Sequence, residues 1–195
     1  MKKILILCLL LLPCVLYAQR FKGGVMLGLN ASQIDGDILS GYNKAGITGG
    51  VFVRSELNHK WEAQFEIKYS PKGSATSKES VEIRKVRLLY IEMPVLLSYQ
   101  IINDLKIQGG VGFAYMFSAM QTEGSGYYDF QSPPDSFEMN GQIGLWYNFL
   151  ENFGLSLRYS YSIFPIREGL VSSTVGVGTW YNNVFSLAVA YNIGN

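Results

Sequence analysis

Charged side chains recur at alternate positions along the chain, a spacing that places them on one face of a β-strand. Between Trp61 and Ser70, Glu62, Glu66 and Lys68 alternate with apolar residues. The charges that follow this alternation are Lys22, Arg54, Glu56, Glu62, Glu66, Lys68, Glu92, Lys106, Glu138 and Arg158. Both signs are present, and an enclosed charge is very costly unless it is paired and hydrogen-bonded. We therefore predict a structural salt-bridge network in preference to a catalytic or conducting group.

Catalytic and metal-binding groups are scarce. His59 is the single histidine, and both cysteines lie within the first fourteen residues. A catalytic histidine activates a nucleophile or water, whereas His59 lies in the short polar segment Asn58-His59-Lys60. Asp35-Gly36-Asp37 alone is too short to identify a calcium site. We predict neither an enzyme nor a metal or cofactor site.

The first eighteen residues have the layout of a secretory signal peptide. Two lysines precede an apolar run from Ile4 to Leu12, and Ala18 is the small residue expected before a cleavage site. The run is too short to span a bilayer as a helix, which needs roughly 20 residues. A lipoprotein signal using Cys14 is the alternative, although the proline before it fits poorly. We predict a leader over residues 1–18 and one domain over residues 19–195.

Composition indicates a folded β-protein. Of the 195 residues, 48% are hydrophobic and only 16% are charged, against about 25% charged residues in typical soluble domains. The 21 glycines and 13 tyrosines favour strands joined by tight turns. The formal net charge is +1, which offers no broad attraction to a phosphate backbone. No nucleic-acid partner is predicted.

A period-two alternation of apolar and polar residues continues through the predicted mature chain and predicts eight strands. Their apolar positions are Val25, Leu27 and Leu29; Ile47, Val51 and Val53; Trp61, Ala63, Phe65, Ile67 and Tyr69; Leu89, Ile91, Met93, Val95, Leu97 and Tyr99; Leu105, Ile107, Val111, Phe113, Tyr115 and Phe117; Phe137, Met139, Ile143, Leu145 and Tyr147; Leu155, Leu157, Tyr159, Tyr161 and Ile163; and Phe185, Leu187, Val189, Tyr191 and Ile193. Pro94 lies inside the fourth strand, where we expect a local bulge because proline cannot donate to the ladder.

The connections between these strands alternate in length. Short turns lie near residues 58–60, 103–104 and 150–152, and long polar loops cover about Ala31–Lys44, Pro71–Ile83, Ser118–Asp135 and Pro165–Thr179. Outer-membrane barrels have short periplasmic turns and longer extracellular loops. We therefore predict an all-β, eight-stranded antiparallel up-and-down transmembrane β-barrel in the bacterial outer membrane, inserted by the barrel assembly machinery. Both termini are then periplasmic and the long loops extracellular.

Side-chain volume determines which face of the barrel meets the lipid bilayer. The apolar face carries roughly forty bulky side chains, more than the interior of an eight-stranded barrel can hold. The opposite face carries mostly glycine, alanine and serine besides the charges, so we assign it to the lumen. Aromatic pairs such as Trp61 and Tyr69 bracket the strands, as in the two girdles of a membrane barrel. A soluble barrel with an apolar interior is the alternative that this volume argument disfavours.

The third long loop is the candidate partner-binding segment. It carries Glu123, Tyr127, Tyr128, Asp129 and Phe130, with no basic residue between Ser118 and Asp135. Rigid aromatic rings beside carboxylates suit contacts with an extracellular protein or a glycan. Alternatively, the tyrosines rest on the membrane surface or fold back over the barrel mouth.

Two stretches of the chain resemble a known family. Phe21–Asn30, directly after the predicted leader, and Leu89–Leu97 with its Tyr90-Ile91-Glu92-Met93-Pro94 segment are similar to the PorT-like outer-membrane β-barrel family of Bacteroidetes-type bacteria. The similarity extends over the whole predicted mature chain. It implies a small outer-membrane barrel, with some relatives linked to protein secretion or the cell envelope, and it brings no catalytic residues.

These observations predict a non-enzymatic envelope protein with a plugged polar lumen, whose function depends on its outer loops. Surface interaction and a secretion-associated role are both compatible with this prediction. A narrow pore for small solutes or ions is the alternative function.

Overall fold

A computed structural model describes residues 21–77, 84–123, 126–130, 132–169 and 178–193. Among these residues, no helix is long and apolar enough to cross a membrane. The predicted leader over residues 1–18 lies outside the described part of the chain.

The described residues form strands connected by turns and loops. The strands are β1 (Phe21–Asp35), β2 (Lys44–Glu56), β3 (Trp61–Ala75), β4 (Arg84–Ile102), β5 (Leu105–Glu123), β6 (Tyr128–Asp129), β7 (Phe137–Leu150), β8 (Phe153–Ser162) and β9 (Tyr181–Ile193). All of them belong to one antiparallel sheet.

The sheet closes on itself. Each wall strand pairs with its neighbour along the chain, β1 pairs with β9, and β4 pairs with β5, so that eight strands form a continuous ring. The two-residue β6 is not part of this ring. It pairs with the end of β5 that extends beyond β7. The predicted eight-stranded up-and-down barrel is therefore confirmed, with β6 as a short addition to its rim.

The outer wall is apolar, as predicted. Along β4, buried and exposed residues alternate regularly from Tyr90 to Ser98. Leu27 and Ile47 on neighbouring strands are each 65% exposed on the outside, whereas Glu66 and Trp146 are fully buried inside. An exposed surface this apolar requires a lipid environment, because monomeric soluble proteins rarely expose large contiguous apolar patches.

Aromatic side chains lie in contact at both ends of the wall. Near the short turns, the rings of Trp61 and Tyr99 are 4.9 Å apart. Near the long loops, the rings of Tyr69 and Phe117 are 6.3 Å apart. These two belts match the aromatic girdles of membrane barrels, and we call the ends of the barrel the short-turn end and the long-loop end. The first residue of β1 and the last residue of β9 both lie at the short-turn end.

The strands extend further into the predicted loops than the sequence indicated. We expected the second long loop to begin at Pro71 and the third at Ser118, but β3 continues to Ala75 and β5 to Glu123. Pro71 and Gly73 are typical of turns, yet here they pair with Leu89 and Arg87 of β4. Cross-strand pairing therefore overrides the local preference of these two residues.

Pro94 does not produce the predicted bulge. Its pairing with Gly112 of β5 is in register, and the register between β3 and β4 is the same on both sides of it. The ladder to β3 instead lacks the pairs that Pro94 and Met93 would form, because proline has no N–H to donate. The two register shifts on this strand lie between Leu89 and Tyr90 and between Gln100 and Ile102, away from Pro94.

A substitution on the outer wall tests the assigned facing. Val95 is 48% exposed and lies midway along β4 between Ile91 and Tyr99. Val95→Arg should lower the free energy of unfolding by about 2–4 kcal/mol, because it places a charge near the bilayer midplane. Urea titration of the protein refolded in lipid vesicles measures the loss, with Val95→Leu as the apolar control. Equal stability of the two variants would show that this face does not meet lipid.

Candidate functional site

The structure places the predicted lumen charges inside the barrel. Seven of them are buried: Arg54, Glu62, Glu66, Lys68, Glu92, Glu138 and Arg158. Lys106 is slightly more open, with 14% of its side chain exposed. Lys22 and Glu56 differ from the prediction, because they form a 3.0 Å ion pair with about half of each side chain exposed. This pair lies at the solvated rim of the short-turn end and outside the buried network.

The buried charges form three groups along the lumen. At the short-turn end, Glu62 contacts Lys106 at 2.7 Å and Arg54 at 3.5 Å. In the middle, both terminal nitrogens of Arg158 donate to the Glu66 carboxylate at 2.8 Å. Such a bidentate pair combines charge with planar geometry.

The third group lies towards the long-loop end and contains a residue that the sequence analysis missed. Lys72 contacts Glu138 at 2.9 Å and Glu92 at 3.6 Å, and Lys68 also contacts Glu92 at 3.5 Å. Only 1% of the Lys72 side chain is exposed. Its position continues the even-numbered alternation of Glu62, Glu66 and Lys68, but Pro71 made this stretch resemble a loop.

Side-chain amides surround these carboxylates. Asn140 and Gln142 donate to the same oxygen of Glu92 at 2.8 and 2.9 Å, and Asn182 donates to Glu138 at 2.7 Å. Gln108 accepts from Arg158 at 3.2 Å. Several donors for one carboxylate offset much of the cost of removing it from water. The amides are a second feature that the charge pattern alone did not reveal.

Large apolar side chains also fill the lumen, although we expected mainly small residues there. At the short-turn end, the Arg54 guanidinium lies 3.6 Å from the ring centre of Trp146 and 4.5 Å from that of Phe52. Trp146 is fully buried, and the two rings meet edge to face at 5.8 Å. Gly154 lies beside the indole, where an added Cβ would come within 2.3 Å of a Trp146 carbon. The glycine makes room for the tryptophan.

A second apolar cluster closes the long-loop end of the lumen. Its buried members are Ile34, Val86, Leu88, Tyr90, Ala114, Met116, Ile166 and Trp180. Above it, burial raises the pKa of the Asp37 carboxyl, which accepts hydrogen bonds from Ser74 and from the Leu39 N–H. The Arg158 and Lys72 groups thus lie between the aromatic layer and the apolar cluster, whereas the Glu62 group lies beside the aromatic layer at the short-turn end.

The third loop is divided between two environments. Tyr127 and Tyr128 are 48% and 44% exposed, and Tyr128 with Asp129 forms β6 against Gln121 and Met120. Phe130 instead packs on the buried cluster, 6.2 Å from the Trp180 ring. Glu123 ends β5. The structure therefore leaves two of the three predicted aromatic contacts available to a partner and folds Phe130 inward.

The described residues contain no candidate metal centre. Within them, no group of three His, Cys, Asp or Glu side chains could hold a metal ion. His59 is exposed in the turn between β2 and β3, at the short-turn end. The side chains of the lumen hold the buried charges in fixed pairs and fill the space inside the barrel.

Removing the central cation tests whether the network stabilises the barrel. Arg158→Gln should lower the free energy of unfolding by about 3–5 kcal/mol, because Glu66 is left buried without its ion-pair partner. Lys22→Gln is the control and should cost about 0–1 kcal/mol, as for other exposed pairs. Both values come from urea unfolding in vesicles. A loss for Arg158→Gln no greater than the control would contradict a stabilising role.

The fit of the tryptophan is tested by a pair of glycine substitutions. Gly154→Ala should lower the free energy of unfolding by about 1–3 kcal/mol, because the new methyl group overpacks the lumen against Trp146. Gly109→Ala is the matched control, since its added Cβ would meet no atom closer than 3.9 Å. Combining Gly154→Ala with Trp146→Phe should recover stability. Failure of this recovery would show that the indole is not what the methyl group displaces.

Two bacterial surface proteins are among the solved structures that this chain resembles. The attachment invasion locus protein Ail of Yersinia pestis is 16% identical, with a TM-score of 0.56 over 89% of this chain and 99% of Ail. Neisserial surface protein A is 13% identical, with a TM-score of 0.58 over 88% of this chain and 97% of that protein. At such identities the likeness concerns the fold alone. No functionally curated protein matches the sequence.

A family model adds evidence at the level of sequence. The model described as outer membrane protein beta-barrel domain matches residues 17–168. This range includes every wall strand except β9. The chain therefore belongs to the outer membrane protein beta-barrel domain family.

Proposed function

We propose that this protein is a non-conducting, non-enzymatic barrel of the bacterial outer membrane that acts through its long-loop end, in surface interaction or in secretion. The observation that carries the proposal is the filled lumen. Because buried ion pairs, an aromatic layer and an apolar cluster occupy the interior, the wall strands serve as a support. Function then depends on what the barrel presents outside it.

Three layers of the lumen support the absence of a conducting path. Trp146 and Phe52 occupy the short-turn end, the Arg158–Glu66 pair lies in the middle, and Tyr90 with Leu88 closes the long-loop end; each of these side chains is at most 5% exposed. Opening a path through them would separate buried charges, which is costly in a low-dielectric interior. A narrow pore is therefore the less favoured function.

The long-loop end has the composition of a recognition surface. Tyr127 and Tyr128 expose nearly half of their area, and Ile38 in the first loop is 57% exposed. Tyrosine provides a large contact area with little loss of conformational entropy. Such a surface suits an extracellular protein or a glycan as its partner. Binding of that partner would serve either surface interaction or the secretion role that the PorT-like resemblance implies.

The proposal includes an orientation. The start of β1 and the end of β9 both lie at the short-turn end of the barrel. The same end carries the connections of two to four residues between β2 and β3, β4 and β5, and β7 and β8. Outer-membrane barrels place short turns in the periplasm and longer loops outside. The long loops and their tyrosines then face the cell exterior.

Conductance measurements test the closed lumen. The refolded wild-type protein should produce no stable current steps in a planar bilayer, because paired charges and apolar layers fill the interior. Insertion is verified on the same preparation by heat-modifiable migration in gels. Stable steps of uniform size from inserted protein would refute the non-conducting proposal and favour the pore.

Site-specific photo-crosslinking tests recognition at the long-loop end. A benzophenone amino acid replaces Tyr128, and in a control protein it replaces Glu151 in the short turn between β7 and β8. On intact cells, position 128 should give discrete protein or glycan adducts that position 151 lacks. The recognition proposal is wrong if position 128 gives no such adduct or if both positions capture the same species.

A further inference from the structure

A pocket of about 370 Å³ opens on the outer wall at the long-loop end, outside the lumen and beside the tyrosine surface described above, with which it shares Tyr127. Its lining includes two cations, two tyrosines and two apolar residues: Lys44, Arg87, Tyr69, Tyr127, Ile47 and Pro71. The pocket is built by the ends of β2, β3 and β4 together with the third loop. Four parts of the chain that are distant in sequence therefore converge on it.

The pocket lies at the edge of the apolar wall that is nearest the long-loop end. Ile47, Ile67 and Ile91 beneath it are 65%, 45% and 39% exposed. Tyr69, in contact with Phe117, belongs to the aromatic girdle. In a membrane barrel this level is the boundary between hydrocarbon and polar headgroups, so the pocket opens where lipid headgroups lie.

Among the described residues, no carboxylate neutralises the cations of the pocket. Within the described residues, no carboxylate forms an ion pair with Lys44, Lys85 or Arg87, and the Lys44 ammonium donates only to the Ala45 carbonyl, at 3.3 Å. Lys44 is half-buried, and the positive charges of Arg87 and Lys85 are close enough to act on its ammonium. Like charges held together at a partly desolvated site favour the binding of an anion.

We propose that this pocket binds the phosphate of a membrane lipid headgroup. The planar guanidinium of Arg87 matches two phosphate oxygens, and the Lys44 ammonium adds a compact positive charge. The hydroxyls of Tyr69 and Tyr127 are further hydrogen-bond donors. Ile47 and Pro71 provide apolar contact for the part of the lipid that lies next to its headgroup.

The apolar side of the pocket selects a lipid over a soluble anion. A free phosphate would leave Ile47 and the exposed isoleucines beneath it uncovered, whereas acyl chains cover them in the same bound state. The lipid is also concentrated at this level of the barrel, so that a modest affinity suffices. The inference is independent of the lumen and of partner recognition by Tyr128.

Native mass spectrometry of the detergent-solubilised protein tests the proposal. Phosphatidic acid and phosphatidylglycerol are each titrated against phosphatidylcholine, whose phosphate is masked by a choline cation. We expect at least one retained anionic lipid per wild-type molecule and about a tenfold loss of retention in Lys44→Gln/Arg87→Gln, which corresponds to about 1.4 kcal/mol. Lys22→Gln, which changes an exposed lysine at the opposite end, should bind as wild type does.

Further measurements keep the test decisive. Heat-modifiable migration in gels shows whether the double variant folds. Arg87→Lys keeps the positive charge but loses the paired guanidinium donors, so it should retain part of the lipid binding. Equal retention of anionic lipid by folded wild type and double variant would overturn the proposal. Displacement of the lipid by millimolar inorganic phosphate, with phosphate itself retained, would show a soluble-anion site instead. Normal crosslinking at position 128 combined with lost lipid binding, or the reverse, separates this inference from the proposed function.

Discussion

The need to hydrogen-bond every backbone N–H and C=O within the hydrocarbon is the constraint on which this structure depends, because lipid offers no partner for an open sheet edge. Pairing of β1 with β9 and of β4 with β5 removes both edges. Because barrel diameter increases with the number of strands, closure with only eight strands makes the interior narrow. The facing of the side chains and the filling of the lumen are consequences of that closure, and the function that we propose lies outside the lumen.

A narrow interior admits few arrangements of charge. Each buried carboxylate of the network lies near a cation, and Glu92 also accepts from two amides. Large side chains in the lumen are likewise matched by small ones, since Trp146 occupies space that Gly154 leaves free. Fixed ion pairs and large rings therefore fill the lumen, and both binding sites that we propose lie at the long-loop rim and on the outer wall.

The two rims differ in how much structure they carry. The short-turn end has connections of only a few residues, whereas β3, β4 and β5 continue past the aromatic girdle at the other end. That extension brings Arg87 towards Lys44 on the outside and Val86 and Leu88 into the cluster on the inside. One set of lengthened strands therefore forms both the closure of the lumen and the basic pocket that we assign to lipid.

The period-two pattern by itself determined the strand count, the antiparallel class and the outward face, because side-chain direction in a strand depends only on local geometry. It also identified Glu66 and Arg158 as lumen charges, but left the partner of Arg158 open. Only the tertiary structure paired them, since their 92-residue separation is bridged by barrel closure. The same holds for Lys72 and Phe130, whose local sequence is typical of loops. Their burial depends on cross-strand pairing and on packing against distant residues, and no local preference encodes those contacts.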